Sequence, residues 1–393
     1  MSRNLPRVAL LIETSRTYGR GILAGIARFA HINGPWSLFM QERELHRGAP
    51  DWLRSWKGEG IIARIEDQRT ASALLRLGMP VVDVLGNARF KGIPGFDTDA
   101  GAVARLAADF YLKAGFRHFA FCGYRNIPFS DRRAAAFTEY LARHDYKVRI
   151  FAAPASFHQP AGIQAVEQLG LGREKAIAAW LRKQRRPLAL FACNDVCGQQ
   201  VLNACREHAI KVPEEVAVMG VDNDDLLCSL CDPPLSSIEP DTARIGFEAA
   251  ALLATMMQGK RPGAAAVAQI PPLRVLERAS TDVVAIEDAI TVQAVHFIRD
   301  HVSEGIAVKD VLACVGRSRT DLEQRFRRWL KCSIRAEILR FRMDRVKNLL
   351  QKSDLSLDDI AARAGFATSA HLCRLFRKRF RQTPTQYRSQ LLI

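Results

Sequence analysis

Ser356-Leu357-Asp358-Asp359-Ile360-Ala361-Ala362-Arg363-Ala364-Gly365, followed by the run from Thr368 to Phe376, has a counterpart earlier in the chain. The earlier copy reads Ala307-Val308-Lys309-Asp310-Val311-Leu312-Ala313-Cys314-Val315-Gly316, followed by Ser318 to Phe326. Val308, Asp310, Val311 and Gly316 recur 49 positions later as Leu357, Asp359, Ile360 and Gly365. Leu322 and Phe326 recur 50 positions later as Leu372 and Phe376, so the one-residue offset falls in the turn.

This spacing predicts a helix, a sharp turn and a second helix, made twice. Apolar residues at i, i+3 and i+4 hold a short helix on a core, and the glycine permits the positive φ that ends it. Leu322 with Phe326, and Leu372 with Phe376, give each second helix one side to bury. The opposite side is left free for a DNA groove. Arg317, Ser318, Arg319, Thr320, Glu323 and Gln324 lie largely off the first apolar stripe, and Thr368, Ser369, Ala370, Cys373 and Arg374 off the second. Ser318 with Asp321, and Ser356 with Asp359, have capping-box spacing. An ordinary helical bundle with solvated charges is the plainer alternative, and the aligned duplication weighs against it.

Charge points the same way. Residues 286–393 hold 21 Lys and Arg against 12 Asp and Glu, or +9 of the chain's +16. Arg325, Arg327, Arg328, Lys331, Arg374, Arg377, Lys378, Arg379 and Arg381 cluster around the proposed recognition helices, where phosphate contacts are needed. Between the copies, Ser333 to Leu350 keeps a helical apolar period without Gly or Pro, which predicts a rigid connecting helix. Such a rod suits two reading heads set about one helical turn of DNA apart.

The two units, the long connecting helix and the closing Gln382-Thr383-Pro384-Thr385-Gln386-Tyr387-Arg388 resemble an AraC-family DNA-binding domain over about residues 286–390. The resemblance implies that the helices beginning near Ser318 and Thr368 read bases in adjacent major grooves. Ala370 and Cys373 offer little beyond apolar contact with a thymine methyl, so most discrimination is expected from the first helix and from Arg374.

The preceding 280 residues are globular in composition and long enough for one large domain or two linked lobes. The domain plan read from the sequence is 1–280, a linker at 281–285, and 286–393. Short apolar runs alternate with helix-length patterns: Val8 to Ile12, Gly60 to Ala63, Val81 to Leu85, Phe119 to Cys122, Leu188 to Ala192 and Val216 to Val221. Alternation of this kind predicts parallel βαβ units with helices on both sheet faces. Pro233-Pro234 and Pro271-Pro272 interrupt the pattern and are expected at crossings between lobes.

An ordered set of motifs narrows the class: Pro80-Val81-Val82, Asp97-Thr98-Asp99-Ala100-Gly101, Gly115 to Gly123, Phe191 to Asp195, Val216 to Asn223, and Pro233 to Ile238. In this order they resemble the sugar-sensing core of LacI/GalR-type regulators, whose fold is that of periplasmic sugar-binding proteins. The fold expected is a two-lobed α/β domain of parallel sheets flanked by helices, followed by an all-α double helix-turn-helix domain. No LacI-type DNA-binding headpiece precedes it, because Val8 already lies in the first predicted strand. The combination resembles XylR-type xylose operon regulators over essentially the whole length, the segment Ser318 to Phe326 and the first strand with Tyr18 and Arg20 agreeing locally. Glu13, Arg64 and the second recognition helix depart from the pattern of that family.

A sugar site needs polar groups aimed at hydroxyls and an apolar wall for the ring, and in parallel α/β domains these collect beyond the carboxyl ends of strands. Carried over by motif, the resemblance implies Arg133, Asn194 and Asp222, joined by Tyr18 and Arg20 from the first lobe, with capping or surface roles as the alternative for each. Ser15 also follows the first strand. Trp36, Phe39 and Trp52 are available for stacking, although core packing is the commoner use.

Other chemistry finds little support. Nine cysteines without a signal peptide suit reduced thiols in the cytoplasm, and the first apolar run ends at Glu13, too short for a membrane span. Cys193 with Cys197, and Cys228 with Cys231, read as small buried residues rather than a zinc site, and no metal or cofactor is expected. Asp222-Asn223-Asp224-Asp225 lacks Ca²⁺-loop spacing. No nucleophile stands with a positioned base, so no catalytic residue is named. The expected partners are a double-stranded operator, a small sugar with D-xylose favoured, RNA polymerase by resemblance, and a second copy of the chain. The rivals are the same architecture sensing another pentose or a purine-like metabolite, and an enzyme fused to a DNA-binding module.

Overall fold

Parallel sheets buried on both faces take near-continuous apolar strands, and the chain supplies them twice over. The computed structural model describes residues 5–41, 50–86, 90–151, 167, 170–260, 267–283, 288–330, 332–353 and 355–389. The chain begins with β1 (Arg7–Leu11), α1 (Thr17–Asn33), β2 (Ser37–Met40), β3 (Gly60–Ala63), α2 (Gln68–Leu75), β4 (Val81–Asp83) and β5 (Gly95–Thr98). Through α3 (Ala100–Lys113) it reaches β6 (His118–Cys122), α4 (Pro128–Ala142), β7 (Val148–Ile150), α5 (Gly170–Leu181), β8 (Leu188–Ala192), α6 (Asp195–Glu207), β9 (Val216–Val221), α7 (Asp225–Leu230) and β10 (Ser236–Glu239). Then follow α8 (Thr242–Met257), β11 (Val267–Ile270) and β12 (Arg274–Leu276).

These strands make two six-stranded sheets, ordered β11-β5-β4-β3-β1-β2 and β12-β10-β9-β8-β6-β7. Every pairing is parallel except β10 with β12. The first lobe packs α1 and α8 on one sheet face, around Ile22, Ile26, Ile245 and Leu253, and Leu53, Ala71 and Leu74 on the other. The second lobe wraps one large core around β6, β8 and β9, with Phe121, Phe137 and Phe191 at its centre.

The backbone passes between the sheets at three places, after β5, after β10 and after β11. Pro271-Pro272 lies at the last of these. Pro233-Pro234 does not: it sits between α7 and β10, inside the second lobe, where Ser280 N donates to Pro234 O at 2.9 Å. Thr281 is buried beside Ser236, their hydroxyls 2.7 Å apart, and Val283 packs on the second core. Residues 284–287 lie outside the described set.

Residues Met1–Ala285 and Ile286–Ile393 form separate compact units. The second is all helical: α9 (Ala289–His301), α10 (Val308–Val315), α11 (Arg319–Trp329), α12 (Ile334–Lys352), α13 (Leu357–Arg363), α14 (Ser369–Phe380) and α15 (Pro384–Ser389). Side-chain caps start the recognition helices, Ser318 accepting from Asp321 N and Thr368 from His371 N. Leu322 and Phe326 are fully buried in one core, and Leu372 and Phe376 in another. Helix α12 serves both: Ile334, Ile338 and Phe341 enter the first core, and Met343, Val346 and Leu350 the second.

Both turn glycines are left-handed, Gly316 at φ +62° and Gly365 at φ +73°, but their surroundings differ. A Cβ on Gly316 would meet nothing within 4 Å, whereas one on Gly365 would stand 2.1 Å from the carbonyl oxygen of Val302. Gly316→Ala is therefore expected to cost only the backbone term, about 1–2 kcal/mol. Gly365→Ala must also displace the Val302 backbone and should be markedly the worse of the two. Urea unfolding followed by circular dichroism checks the order, and equal losses would contradict it.

Candidate functional site

The carboxyl ends of β1, β3, β5, β8 and β9 face a solvent-open cleft of about 730 Å³ in the first unit. Tyr18, Arg133, Asn194 and Asp222 all line it, joined by Arg16, Arg64, Asp97, Glu167, Asp195 and Asp224. Arg20 does not line it. Its exposed guanidinium bonds Thr14 O and Thr17 Oγ1 and reaches to 3.9 Å from Asp224, so it acts at the rim. Phe129 supplies an apolar wall, with the Arg133 guanidinium 5.2 Å from its ring. Phe39 and Trp52 pack against each other and Trp36 packs on Phe29, all away from the cleft lining.

Each lining side chain is held by a second group. Tyr18 Oη lies 3.0 Å from Thr98 Oγ1 beneath the Arg64 guanidinium, and burial raises its pKa well above the usual phenol value. Asn194 Oδ1 accepts from Cys197 N at 2.9 Å and so caps α6, while Nδ2 donates to Glu167 Oε1 at 3.0 Å. The capping role and the place in the cleft coexist. Arg133 donates to Cys193 O and stands 3.9 Å from Asp222 Oδ1. Asp222 adopts φ +111°, a conformation that costs a non-glycine residue free energy, and the following Asn223 is also left-handed.

Three guanidinium groups line the cleft, and each has a carboxylate. Arg16 pairs with Glu167, Arg64 with Glu13, and Arg133 faces Asp222. Arg132, on the second lobe, reaches Asp97 of the first at 2.6 Å. The Arg16 and Arg132 pairs therefore join the lobes across the opening. Glu13 is buried and Arg64 half-buried, and among the described residues Glu13 Oε2 and Arg64 Nε have no hydrogen-bond partner. The acidic run after β9 is spoken for: Asp224 caps α7, and Arg278 binds Asn223 and Asp225. Cys193, Cys197, Cys228 and Cys231 are free buried thiols.

In the second unit, Arg317, Ser318, Arg319, Thr320 and Gln324 are exposed and Glu323 is half-buried. On α14, Thr368, Ala370 and Arg374 are exposed, and Ser369 and Cys373 half-buried. Arg374, Arg377, Lys378 and Arg381 surround an open basic groove with Cys373 and Thr383. Arg325 is not available for phosphate: it ties Asp321 to Asp288, the residue that caps α9. Lys331 lies outside the described residues.

Three family models match in order: the XylR N-terminal domain at residues 7–92, a periplasmic binding protein-like domain at 108–281, and a helix-turn-helix domain at 311–390. The chain is 29% identical to the xylose operon regulatory protein of Haemophilus influenzae, over 99% of both chains. The protein of that name from Escherichia coli K12 is 27% identical over 97% of this chain and 96% of its own. Among solved structures, the xylose-binding transcription activator XylR superposes with a TM-score of 0.73 at 27% identity, covering 99% of each chain. Over its whole length the chain is thus similar to XylR-type transcription regulators, domain by domain and in the same order. These relatives are transcription regulators, not enzymes.

Sequence reading missed the cleft residues that depend on distant partners. Glu167 meets Arg16 across 151 positions, and Asp195 accepts from Ser237 Oγ at 2.6 Å and from Asp224 N at 2.8 Å. Burial pushes the Asp195 carboxyl up to about 8, with repulsion from Asp222 adding to it. Asp222 itself is pushed up to about 6 by burial, against the pull of Arg133. An acid raised in this way binds its proton more tightly in the folded chain than in the unfolded one. Its contribution therefore falls as pH rises from near 3.8 towards 8. Asp195→Asn should flatten the decline in the urea midpoint between about pH 6 and pH 8. A slope unchanged from wild type would refute the assignment.

Proposed function

We propose that the cleft binds a neutral, polyhydroxylated effector, D-xylose in the first instance, and that occupancy controls how the helix-turn-helix unit engages its operator. The observation that carries this reading is the pairing of every lining guanidinium with a carboxylate. Such a lining holds no surplus cation for a phosphate or carboxylate ligand. It offers instead the mixed donors and acceptors that alternate hydroxyls require. Asp222 accepts, Arg133 donates, Asn194 keeps one amide hydrogen beyond the one given to Glu167, and Tyr18 and Phe129 face the carbon skeleton. The names of the full-length relatives supply the choice of D-xylose.

Sugar bound between the lobes favours their closed arrangement. Coupling to DNA follows only if closed and open forms differ in operator affinity, since equal binding to both shifts nothing. Arg319, Thr320, Glu323 and Gln324, with Arg374 from the second head, read bases, and Arg317, Ser318, Thr368, Ser369, Ala370 and Cys373 position the helices or touch thymine methyls. In this reading the regulator works in the cytoplasm as a homodimer on tandem half-sites and activates transcription through RNA polymerase. A second reading, another pentose or similar polyol, is favoured by the Glu13–Arg64 pair, which places a paired charge in the cleft where the family resemblance implies a different pattern.

Calorimetric titration of the full chain with pentoses and hexoses is the test. D-Xylose should bind, and Asp222→Ala should weaken it by at least about tenfold, the loss expected when a buried Arg is left unpaired. Binding of a different pentose alone would select the second reading. Heat from no sugar, with DNA binding intact, would overturn both. Operator affinity unchanged by a sugar that binds would end the coupling.

A further inference from the structure

The pole of the second lobe opposite the cleft collects charge of one sign. Three turns meet at the amino ends of β6, β7 and β8, and each brings cations: Arg117 before β6, Lys147 and Arg149 at β7, and Lys183 with Arg185 before β8. They border an open groove of about 1670 Å³ in which Asp145 is the one carboxylate residue among the lining residues. All five cations are exposed. Neighbouring Arg186 and Arg143 are engaged with Glu215 and Glu139. No ion pair among the described residues engages Lys147, Arg149, Lys183 or Arg185, and Arg117 bonds only a carbonyl and lies against Tyr146.

The groove is not purely polar. Tyr146 and Trp180 line it, each packed on a phenylalanine of the core, and Ile150 on β7 is 51% exposed. Strand β7 is the outermost strand of its sheet, with β6 its only partner among the described residues. Its other edge, unpaired among the described residues, presents backbone donors and acceptors beside Lys147 and Arg149, with the cations before β8 across β6, and an extended peptide can add to such an edge as a further strand.

We propose that this groove docks an extended acidic segment of a partner protein, which pairs with the outer edge of β7, sets carboxylates against Lys147 and Arg149 beside that strand, and is drawn in by Lys183 and Arg185 from across β6. A duplex fits it less well. Its phosphates form a convex wall that would touch the rim of a concave groove and leave Tyr146, Trp180 and the strand edge unused.

The probe is a short fluorescent peptide of alternating Glu and Val, titrated into the full chain and followed by anisotropy. The wild type is expected to bind it. Lys147→Glu with Lys183→Glu should weaken binding by roughly tenfold or more, the scale of reversing contacts in a complementary interface. Arg374→Glu with Arg377→Glu, in the DNA-reading unit, should leave it unchanged. The same peptide N-methylated at alternate residues should bind at least about tenfold more weakly, because it cannot complete a strand ladder. Four results would overturn the proposal: no binding by the wild type, loss only in the DNA-unit variant, equal binding of the N-methylated peptide, or groove variants that weaken a random-sequence duplex as much as the peptide.

Discussion

One helix belongs to two cores, and the DNA-reading unit depends on that division. The upper half of α12 buries Ile334, Ile338 and Phe341 with the first helix-turn-helix, and its lower half buries Met343, Val346 and Leu350 with the second. Each head draws three large buried side chains of its core from the shared rod. At about 1.5 Å per residue, the 19 residues of α12 hold the two cores apart as a fixed spacer rather than a tether. Motion of one recognition helix relative to the other must therefore bend a helix or break a core, and both are costly.

The first unit is governed by charge instead. Its cleft contains more ionised groups than a buried site tolerates unpaired, and the pairing answers that cost. Two of the pairs, Arg16 with Glu167 and Arg132 with Asp97, draw on opposite lobes. The same contacts that neutralise the cleft therefore also hold its walls together.

The order of strands was legible wherever burial was complete. Runs such as Leu188 to Ala192 and Val216 to Val221 became β8 and β9 without adjustment, because strands covered on both faces have no polar face to show. The unread strands lack such runs for two reasons. β2, β7, β11 and β12 are edges with exposed side chains, and β5 and β10 carry Asp97, Thr98, Ser236 and Ser237, polar residues bonded into the crossings and the cleft. Site residues divided in the same way. Tyr18, Arg133, Asn194 and Asp222 follow motifs, whereas Arg64 and Glu167 matter through partners far off in sequence. Arg20 also follows a motif, but its helical position turns it toward Thr17 and Asp224 at the rim.

The three crossings between sheets mean that neither lobe is a continuous piece of chain. β11, from residues 267–270, completes the first sheet beside β5, and β12, from residues 274–276, completes the second beside β10. Chains emerge from the ribosome N-terminus first and fold by unit. Both lobes thus carry an open edge until almost the last of the first unit has been made, and the helix-turn-helix segment is synthesised only after both edges can close. The order of emergence lets the cleft close before the part that reads DNA is free to fold.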